Sequence, residues 1–346
     1  MLNGLRLCYL VIIPVIFPFL IFARLFMKSA LFKFIGRVLN KPAGLLFNLS
    51  GDYANAFLIG ALIGFPSGAK AVREIYLLEP SGRNKNQAER ALAFCNNCSI
   101  SFVVSAAGIA VFNSVRIGFI LFFIQMAAAV LTGVITRFIF AQKNLPDAPP
   151  IRLDADSRRN DSITEIISEA VSGILNICGT VLFFYIMINI TGDILRAAGM
   201  SLLSPAVAGI FEVSSGVYSL ASLNIDMYRK LLICAAVLGW SGFSVHFQII
   251  YILKDLKLNL RPYFTGKLIH VIIYVLMAAL IFRMPETAVM SFASDYYPVF
   301  FHAPDNFQAY IGGLIVSAIV TGLVLAVIAA ALLVIYILER KNRQKI

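Results

Sequence analysis

Two stretches in the first third of the chain combine helix-breaking residues with polar side chains. Gly64-Phe65-Pro66-Ser67-Gly68-Ala69-Lys70 ends one apolar run, and Phe94-Cys95-Asn96-Asn97-Cys98-Ser99 opens the next. Backbone groups freed by Pro and Gly survive inside a membrane only where protein or a water-filled cavity covers them, often at a substrate site. Hydroxyl, amide and ammonium groups at such breaks suit a small anionic solute. The pattern therefore predicts a transporter.

A second set of polar residues lies in the second half of the chain. Several of them fall inside one apolar stretch, 231–253, and Ser215 lies in a broken segment before it. The candidate substrate-binding residues from both halves are Ser67, Gly68, Lys70, Asn96, Asn97, Ser215, Ser241, Gly242, Ser244, His246 and Gln248.

These candidates also have structural interpretations. Asn96 and Asn97 could cap a helix that begins near Cys98, because Asn is a favoured N-cap residue. This role is compatible with binding, since a helix N-terminus offers free N–H groups to an anion. Lys70 could extend its side chain from a helix end to the membrane interface. His246 and neighbouring serines could hydrogen-bond one another between helices.

Glu212 is the candidate coupling residue. It follows the apolar run 206–211 and precedes Val213. A carboxylate at membrane depth costs about 2.5–3.5 kcal/mol, so it should face a cavity or a partner. In a cavity it could couple transport to a proton or Na+, whereas at the external interface it would be an ordinary solvated residue.

The sequence argues against nucleotide, metal and enzyme chemistry. The spacing from Gly64 to Lys70 is shorter than the Gly-x-x-x-x-Gly-Lys-Ser/Thr pattern of a phosphate-binding loop. The three histidines have no acidic neighbour at ligand spacing, and Cys95-x-x-Cys98 is a lone pair. A membrane enzyme that acts on a lipid-linked sugar would need clustered carboxylates or a nucleophile with its base. We therefore predict no catalytic residue, metal or cofactor.

The composition predicts an all-α polytopic membrane protein. Hydrophobic residues make up 60% of the 346 residues and charged residues only 14%, whereas charged residues are about 25% of soluble domains. The net charge of +11 comes from short basic clusters between apolar segments, which favours membrane orientation signals over nucleic-acid binding. The expected partners are the lipid bilayer and a small-molecule solute.

The apolar segments predict about seven to eight transmembrane helices plus two re-entrant or discontinuous helical hairpins. The first helix runs from Leu7 to Phe22 and is followed by a basic flank, without a cleavage site. Two segments, 43–69 and 200–223, are too interrupted to be simple spans. The other expected spans are 94–112, 116–138, 172–192, 229–252, 266–283 and 309–338.

The distribution of Lys and Arg predicts the orientation. The tail after 338 and the segments 70–90, 143–159 and 254–267 are basic, whereas 284–308 has three acidic residues and no Lys or Arg. The tail is therefore expected in the cytoplasm and 284–308 outside. This places the N-terminus outside, unless 54–69 spans the membrane fully, in which case the N-terminus is inside.

One polar stretch divides the chain into two membrane halves. The expected organisation is an N-terminal half, 1–141, a cytoplasmic linker, 142–162, a C-terminal half, 163–338, and a basic cytoplasmic tail, 339–346. The halves share a faint pattern, because Gly64-Phe65-Pro66-Ser67-Gly68 matches Gly239-Trp240-Ser241-Gly242-Phe243. Whether the repeat is parallel or inverted stays open.

Three motifs together resemble sporulation integral membrane proteins of the YlbJ type, in the nucleoside-recognition (Gate) domain family. They are the Gly64–Lys70 stretch, Ala91-Leu92-Ala93-Phe94-Cys95-Asn96-Asn97, and Leu238-Gly239-Trp240-Ser241-Gly242-Phe243-Ser244-Val245-His246-Phe247-Gln248. The resemblance covers nearly the whole chain in order and hydropathy. It implies a two-half, Gate-like architecture with one repeat at about 43–140 and another at about 172–283.

The resemblance also implies a function. It indicates a protein of the bacterial cytoplasmic membrane, in the mother-cell or outer forespore membrane, that moves dipicolinate from mother cell toward forespore. A nucleoside or nucleobase is the alternative substrate, since related proteins carry them. A third possibility is a membrane assembly factor for spore formation that transports nothing.

Overall fold

The computed structural model describes residues 2–9, 13–78, 80–140, 162–200 and 203–283, and every regular element in these ranges is helical. The all-α prediction is therefore confirmed for this part of the chain. The helices are α1 (Leu2–Leu7), α2 (Ile13–Lys28), α3 (Ala30–Phe47), α4 (Gly51–Ile63), α5 (Ser67–Leu78), α6 (Gly82–Ala91), α7 (Ile100–Phe102), α8 (Val115–Ile139), α9 (Ile163–Ala197), α10 (Ser204–Phe211), α11 (Val213–Ser219), α12 (Met227–Trp240), α13 (Gly242–Leu253) and α14 (Arg261–Phe282). A π-helix, Val103–Val111, continues α7, and a short 3-10 turn, Leu220–Ser222, follows α11.

Four stretches of the described residues are long and apolar enough to cross a membrane. They are α8, α9, α14 and the pair α12–α13, Met227–Leu253, and the bent pair α3–α4 would make a fifth. The expected spans 116–138 and 266–283 correspond to α8 and α14. The expected span 309–338, the linker 142–161, the acidic segment 284–308 and the basic tail lie outside the described residues.

The N-terminal region is more helical than its charge pattern suggests. The apolar helix expected to end at Phe22 continues to Lys28, and α3 occupies most of the region expected as a basic flank. Helix α3 forms because its apolar residues recur on one face, where Phe32, Ile35, Ala43 and Phe47 are buried. Its basic residues Arg37 and Lys41 point away from that face and are exposed.

The expected interruption near 48–52 is a sharp bend. Helices α3 and α4 meet at 94°, after Asn48 ends α3 in the left-handed conformation with φ 52°. Side chains of α6 hold the bend: the Arg90 guanidinium donates hydrogen bonds to the Phe47 and Asn48 carbonyls, and Gln87 Oε1 accepts one from Ser50 N at 2.7 Å. Burial lowers the pKa of Arg90 to about 10, and the nearby charge of Arg137 contributes a smaller part of this shift. Arg90 is therefore charged at neutral pH.

The expected membrane span 94–112 is wrong, because only its second part is helical. Residues Phe94–Ser99 are not helical, and the helical part, Ile100–Val111, has only 12 residues. The helix begins there because Ser99 is its N-cap, with Ser99 Oγ accepting a hydrogen bond from Phe102 N at 3.2 Å. Every residue from Ala91 to Ile100 is buried. The chain therefore carries irregular backbone through its interior at this point.

The second half contains two further breaks. Glu212 separates α10 from α11, as the interrupted segment 200–223 predicted. Ser241 and Gly242, with φ of 74° and 79°, separate α12 from α13, where an unbroken span 229–252 was expected. Two consecutive left-handed residues cannot continue a right-handed helix. Helix α14 packs against α12 and α8, and α9 packs against α2, α10 and α13.

Helix α9 begins nine residues before the expected span 172–192. Ser162 and Glu165 form a capping box: Ser162 Oγ accepts from Glu165 N at 3.2 Å, and Glu165 Oε2 accepts from Ser162 N at 2.8 Å. The cap fixes the helix start at Ile163, and the helix then extends to Ala197. The apolar run alone therefore understated the length of this helix, which is 35 residues.

Substitution of Arg90 tests how the bend between α3 and α4 is stabilised. We expect Arg90→Met to lower the free energy of unfolding by about 1–3 kcal/mol, because the buried Phe47 carbonyl and the partly buried Asn48 carbonyl lose a donor. Thermal unfolding of the purified protein in detergent micelles measures the change. Lys85→Met on the same helix is the control, since its pair with Glu89 is long, at 4.0 Å, and the Lys85 side chain is 42% exposed. Equal losses in both variants would contradict this role of Arg90.

Candidate functional site

The irregular segment Phe94–Ser99 lies against three glycines that follow one another at helical spacing. A Cβ atom on Gly60 or Gly68 would lie 1.8 or 2.2 Å from the Cys95 carbonyl oxygen. A Cβ on Gly64, which has φ 91°, would lie 3.0 Å from Ser99 N. Directly before the segment, a Cβ on Gly266 of α14 would lie 2.4 Å from the Ala93 carbonyl oxygen. Only glycine allows these backbones to approach so closely.

Asn96 connects this segment to the start of α5. Its Oδ1 accepts a hydrogen bond from Ala69 N at 2.8 Å. The two motifs that the sequence singled out in the first half are thus brought together. The expected capping of a helix near Cys98 is wrong, because Ser99 caps that helix and Asn96 binds the N-terminal end of α5 instead. Asn97 Nδ2 donates to the Phe94 carbonyl at 2.8 Å, which stabilises the turn.

Lys267 is the buried residue that joins the two halves of the site. Its side chain is 2% exposed, and its Nζ donates to the Asn96 carbonyl oxygen at 2.5 Å and to Ser241 Oγ at 3.0 Å. The first acceptor belongs to the irregular segment of the first half and the second to the break between α12 and α13. One ammonium group therefore bridges both discontinuities.

Further buried hydrogen bonds link the irregular segment to α8 and α12 and link α14 to α8. Gln125 Nε2 donates to the Cys98 carbonyl at 3.0 Å, and Cys98 Sγ contacts the Leu238 carbonyl at 3.6 Å. His270 Nε2 lies 3.3 Å from the Gln125 carbonyl, and Tyr274 OH donates to the Leu121 carbonyl at 2.9 Å. Irregular backbone inside a membrane protein needs such partners. The interior of the site is consequently a connected polar network.

Glu212 lies at the break that faces Gly242. A Cβ on Gly242 would lie 2.9 Å from Glu212 Cα, so the two breaks of the second half touch. The Glu212 side chain is 4% exposed, and its two carboxylate oxygens accept from Ser214 N at 2.9 Å and Ser215 N at 2.7 Å. Ser215 therefore contributes its backbone to a helix cap. A coupling role of Glu212 stays a prediction.

His246 pairs with a residue that the sequence did not single out. His246 Nδ1 lies 2.5 Å from Tyr263 OH, and the ring packs edge-on to Trp240 at 4.4 Å. The expected exchange of hydrogen bonds between His246 and neighbouring serines is not found among its described contacts. Ser244 Oγ instead accepts from Gln248 Nε2 at 3.4 Å.

A cavity of about 840 Å³ lies beside this network, between α2, α5, α9 and α13. Three of the predicted substrate-binding residues line it: Ser67, Lys70 and Gln248. Small-molecule sites usually have volumes of about 300–1,000 Å³, so the cavity is of suitable size for a solute. The other predicted residues do not line the cavity.

Several buried polar atoms have no hydrogen-bond partner among the described residues. They include Ser67 Oγ, Asn97 Oδ1, Gln125 Oε1 and His246 Nε2. Such atoms are costly in an apolar interior unless they bind something, so they are available to a ligand or water. In the same ranges, no group of three or more His, Cys, Asp or Glu residues could hold a metal ion.

Lys267 was not among the candidate residues predicted from the sequence. Lys267 was counted with the basic segment 254–267 as an orientation signal, but it lies inside α14, which begins at Arg261. The signal available in the sequence was a single Lys followed by the long apolar run from Leu268, preceded by Gly266. Gln125, inside the apolar run of α8, carried a similar signal. In membrane segments such isolated polar residues usually face the protein interior.

The fold and the site define a helical membrane protein in which broken helices meet at a buried polar network. The chain is 22% identical over 319 residues to the sporulation integral membrane protein YlbJ of Bacillus subtilis (strain 168), covering 83% of this chain and 78% of that protein. The resemblance to the YlbJ type is thus confirmed. No family model matches the chain, and no solved structure matches it.

Gly60 offers a direct test of the close approach to Cys95. We expect Gly60→Ala to lower the unfolding free energy by about 1–3 kcal/mol or more, because the added Cβ overlaps a backbone oxygen. Gly44→Ala on α3 is the matched control, since a Cβ there meets no atom within 4 Å. It should be neutral or slightly stabilising, as alanine favours helix. Similar thermal unfolding midpoints for the two variants would refute the predicted contact.

Proposed function

We propose that this chain is a membrane transporter or facilitator of a small anionic solute and that it acts in sporulation. The observation that carries the proposal is the cavity between α2, α5, α9 and α13. It places a lysine and the N-terminal end of α5 beside the buried network at the helix breaks. The role in sporulation is proposed because the Bacillus subtilis relative is named a sporulation integral membrane protein.

The charges of the cavity favour an anion. The described lining includes four basic side chains, Arg24, Lys70, Arg73 and Lys254, and three acidic ones, Glu74, Glu169 and Asp255. Arg24 pairs with Glu74 at 2.6 Å and with Glu169 at 3.5 Å, and Arg73 lies 3.8 Å from Asp255. The acidic groups are thus engaged. Lys70 has no carboxylate within 4 Å among the described residues, so its ammonium donors are available to a solute, although Glu169 and Glu74 interact with its charge at longer range.

The start of α5 adds to the positive potential. A helix N-terminus carries a partial positive charge of about half an elementary charge and exposes N–H groups. Asn96 already binds one of these groups, Ala69 N. Ser67 Oγ lines the cavity, is buried and has no partner among the described residues. A carboxylate in the cavity could therefore accept from Ser67 Oγ and Lys70 Nζ.

Dipicolinate is the specific solute that we propose, moved from mother cell toward forespore. It carries two carboxylates on a flat aromatic ring. The carboxylates suit Lys70 and the start of α5. The ring suits the aromatic side chains that line the cavity, which are Phe183, Phe184, Phe247 and Tyr251. Aromatic pairs pack at centroid distances of about 4.5–7 Å, so a bound ring has several partners.

A nucleoside is the second candidate. The observation in its favour is the Gln248 amide, which lines the cavity next to Phe247 and Tyr251. An amide can pair with the edge of a base while an aromatic ring stacks on its face. A nucleoside carries no charge, however, and would leave Lys70 unpaired.

Uptake by proteoliposomes tests the proposal. The purified protein should accumulate radiolabelled dipicolinate, and Lys70→Met should raise the half-saturating concentration about tenfold or more, because a charge-assisted hydrogen bond is lost. Lys85→Met is the control, since Lys85 lies on α6 and does not line the cavity.

The possible results separate the three functions. Uptake of uridine, without uptake of dipicolinate, would replace the anion with a nucleoside. Uptake of neither solute, by protein that is correctly folded and inserted, would favour a non-transporting assembly factor. Normal dipicolinate content in spores of a deletion strain would remove this chain from dipicolinate delivery.

A further inference from the structure

We propose that the ammonium group of Lys267 is a built-in cation that fills a cation-binding position between the broken helices, so that the chain binds no Na+ there. In transporters with discontinuous helices, unwound backbone carbonyls commonly coordinate a coupling cation. Here the corresponding oxygens bind a side chain of the protein itself. This part of the proposal concerns the architecture and does not depend on which solute is carried.

The geometry around Lys267 Nζ is that of a cation bound by neutral oxygens. The Asn96 carbonyl, at 2.5 Å, belongs to a non-helical segment, and its oxygen has no helical partner. Ser241 Oγ, at 3.0 Å, lies at the break between α12 and α13. Ser241 Oγ also donates to the Leu238 carbonyl at 3.3 Å, so its lone pairs are free to accept from the ammonium. Carbonyl and hydroxyl oxygens are also the ligands of hard cations.

The charged and titratable surroundings of Lys267 contain no direct ion pair. No carboxylate lies within 4 Å of Nζ among the described residues. The titratable groups that interact electrostatically with it are the thiols of Cys98 and Cys95 and the imidazoles of His246 and His270. Glu212 interacts electrostatically with Cys98. The oxygen dipoles therefore hold the ammonium, as they would hold a metal cation.

The consequence for coupling rests on the proposed function. Two charges in a poorly screened interior repel strongly, so Lys267 disfavours a second cation between Asn96 and Ser241. We therefore expect transport to be independent of Na+. The sequence left a proton and Na+ open as coupling ions. Without Na+, transport is coupled to a proton or to no ion.

Chemical rescue tests the proposal without a transport assay. Lys267→Ala removes the side chain beyond Cβ, and n-propylammonium has the same three carbons and ammonium group. The thermal midpoint of purified Lys267→Ala should fall, and n-propylammonium should raise it by about 2–4 °C or more through mass action. The parent protein should show no such shift, and 1-propanol, which is uncharged, should not replace the amine.

Lys267→Met is the matched control, because it fills the space without a charge. It should be destabilised and should not respond to n-propylammonium. If Lys267→Met is as stable as the parent, or if the amine and the alcohol act equally on Lys267→Ala, the ammonium charge is not required and the proposal is wrong.

A Na+ titration of the parent protein gives an independent answer, even if Lys267→Ala does not fold. Replacing choline with Na+ should change neither its thermal midpoint nor the emission of Trp240, the single tryptophan, which adjoins Ser241. A saturable response to Na+ would overturn the proposal. Failure to transport any solute, with these results intact, would reject the proposed function and leave the role of Lys267 standing.

Discussion

The structure depends on one constraint: irregular backbone that is buried in an apolar environment needs hydrogen-bond partners. Phe94–Ser99 is wholly buried and not helical, so its carbonyls before Ser99, whose own oxygen accepts from Val103 N, have no partners within a helix. An unpaired backbone group of this kind costs several kcal/mol in hydrocarbon. The surrounding helices supply the partners from side chains. Lys267 binds the Asn96 carbonyl and Gln125 binds the Cys98 carbonyl.

The same constraint explains why the site combines small and polar residues. Glycines at 60, 64 and 68 allow α4 and α5 to approach the segment, and Gly266 allows α14 to approach the chain directly before it. The close approach brings the polar side chains within hydrogen-bond distance. Discontinuities of both halves then meet at Lys267. The cavity beside them is lined by Lys70 and the start of α5, which connects the fold to the proposed binding of an anion.

The sequence predicted the helical class and the places where helices break, because Pro, Gly and charged residues in apolar runs have strong local effects. It did not predict the helix from Ala30 to Phe47, whose basic residues hid an amphipathic pattern. The break at Ser241 was also missed, because the apolar run around it looks continuous. Asn96 was expected to cap the helix near Cys98, but Ser99 caps that helix and Asn96 binds the start of α5. Such partners depend on tertiary packing between separate segments: Asn96 and Ala69 are 27 residues apart, and Lys267 and Asn96 are 171 residues apart.

The central claim is that Cys95–Ser99 is enclosed between α4, α5 and α14, and the native thiols of that segment allow a direct measurement. Cys95 and Cys98 are 0% and 1% exposed. The purified protein in lipid nanodiscs would be treated with N-ethylmaleimide and mapped by mass spectrometry. We predict that both thiols stay unmodified until the protein is denatured, while a cysteine introduced at the exposed Asn224 reacts rapidly. Modification of Cys95 and Cys98 at the rate of the introduced cysteine would contradict the account.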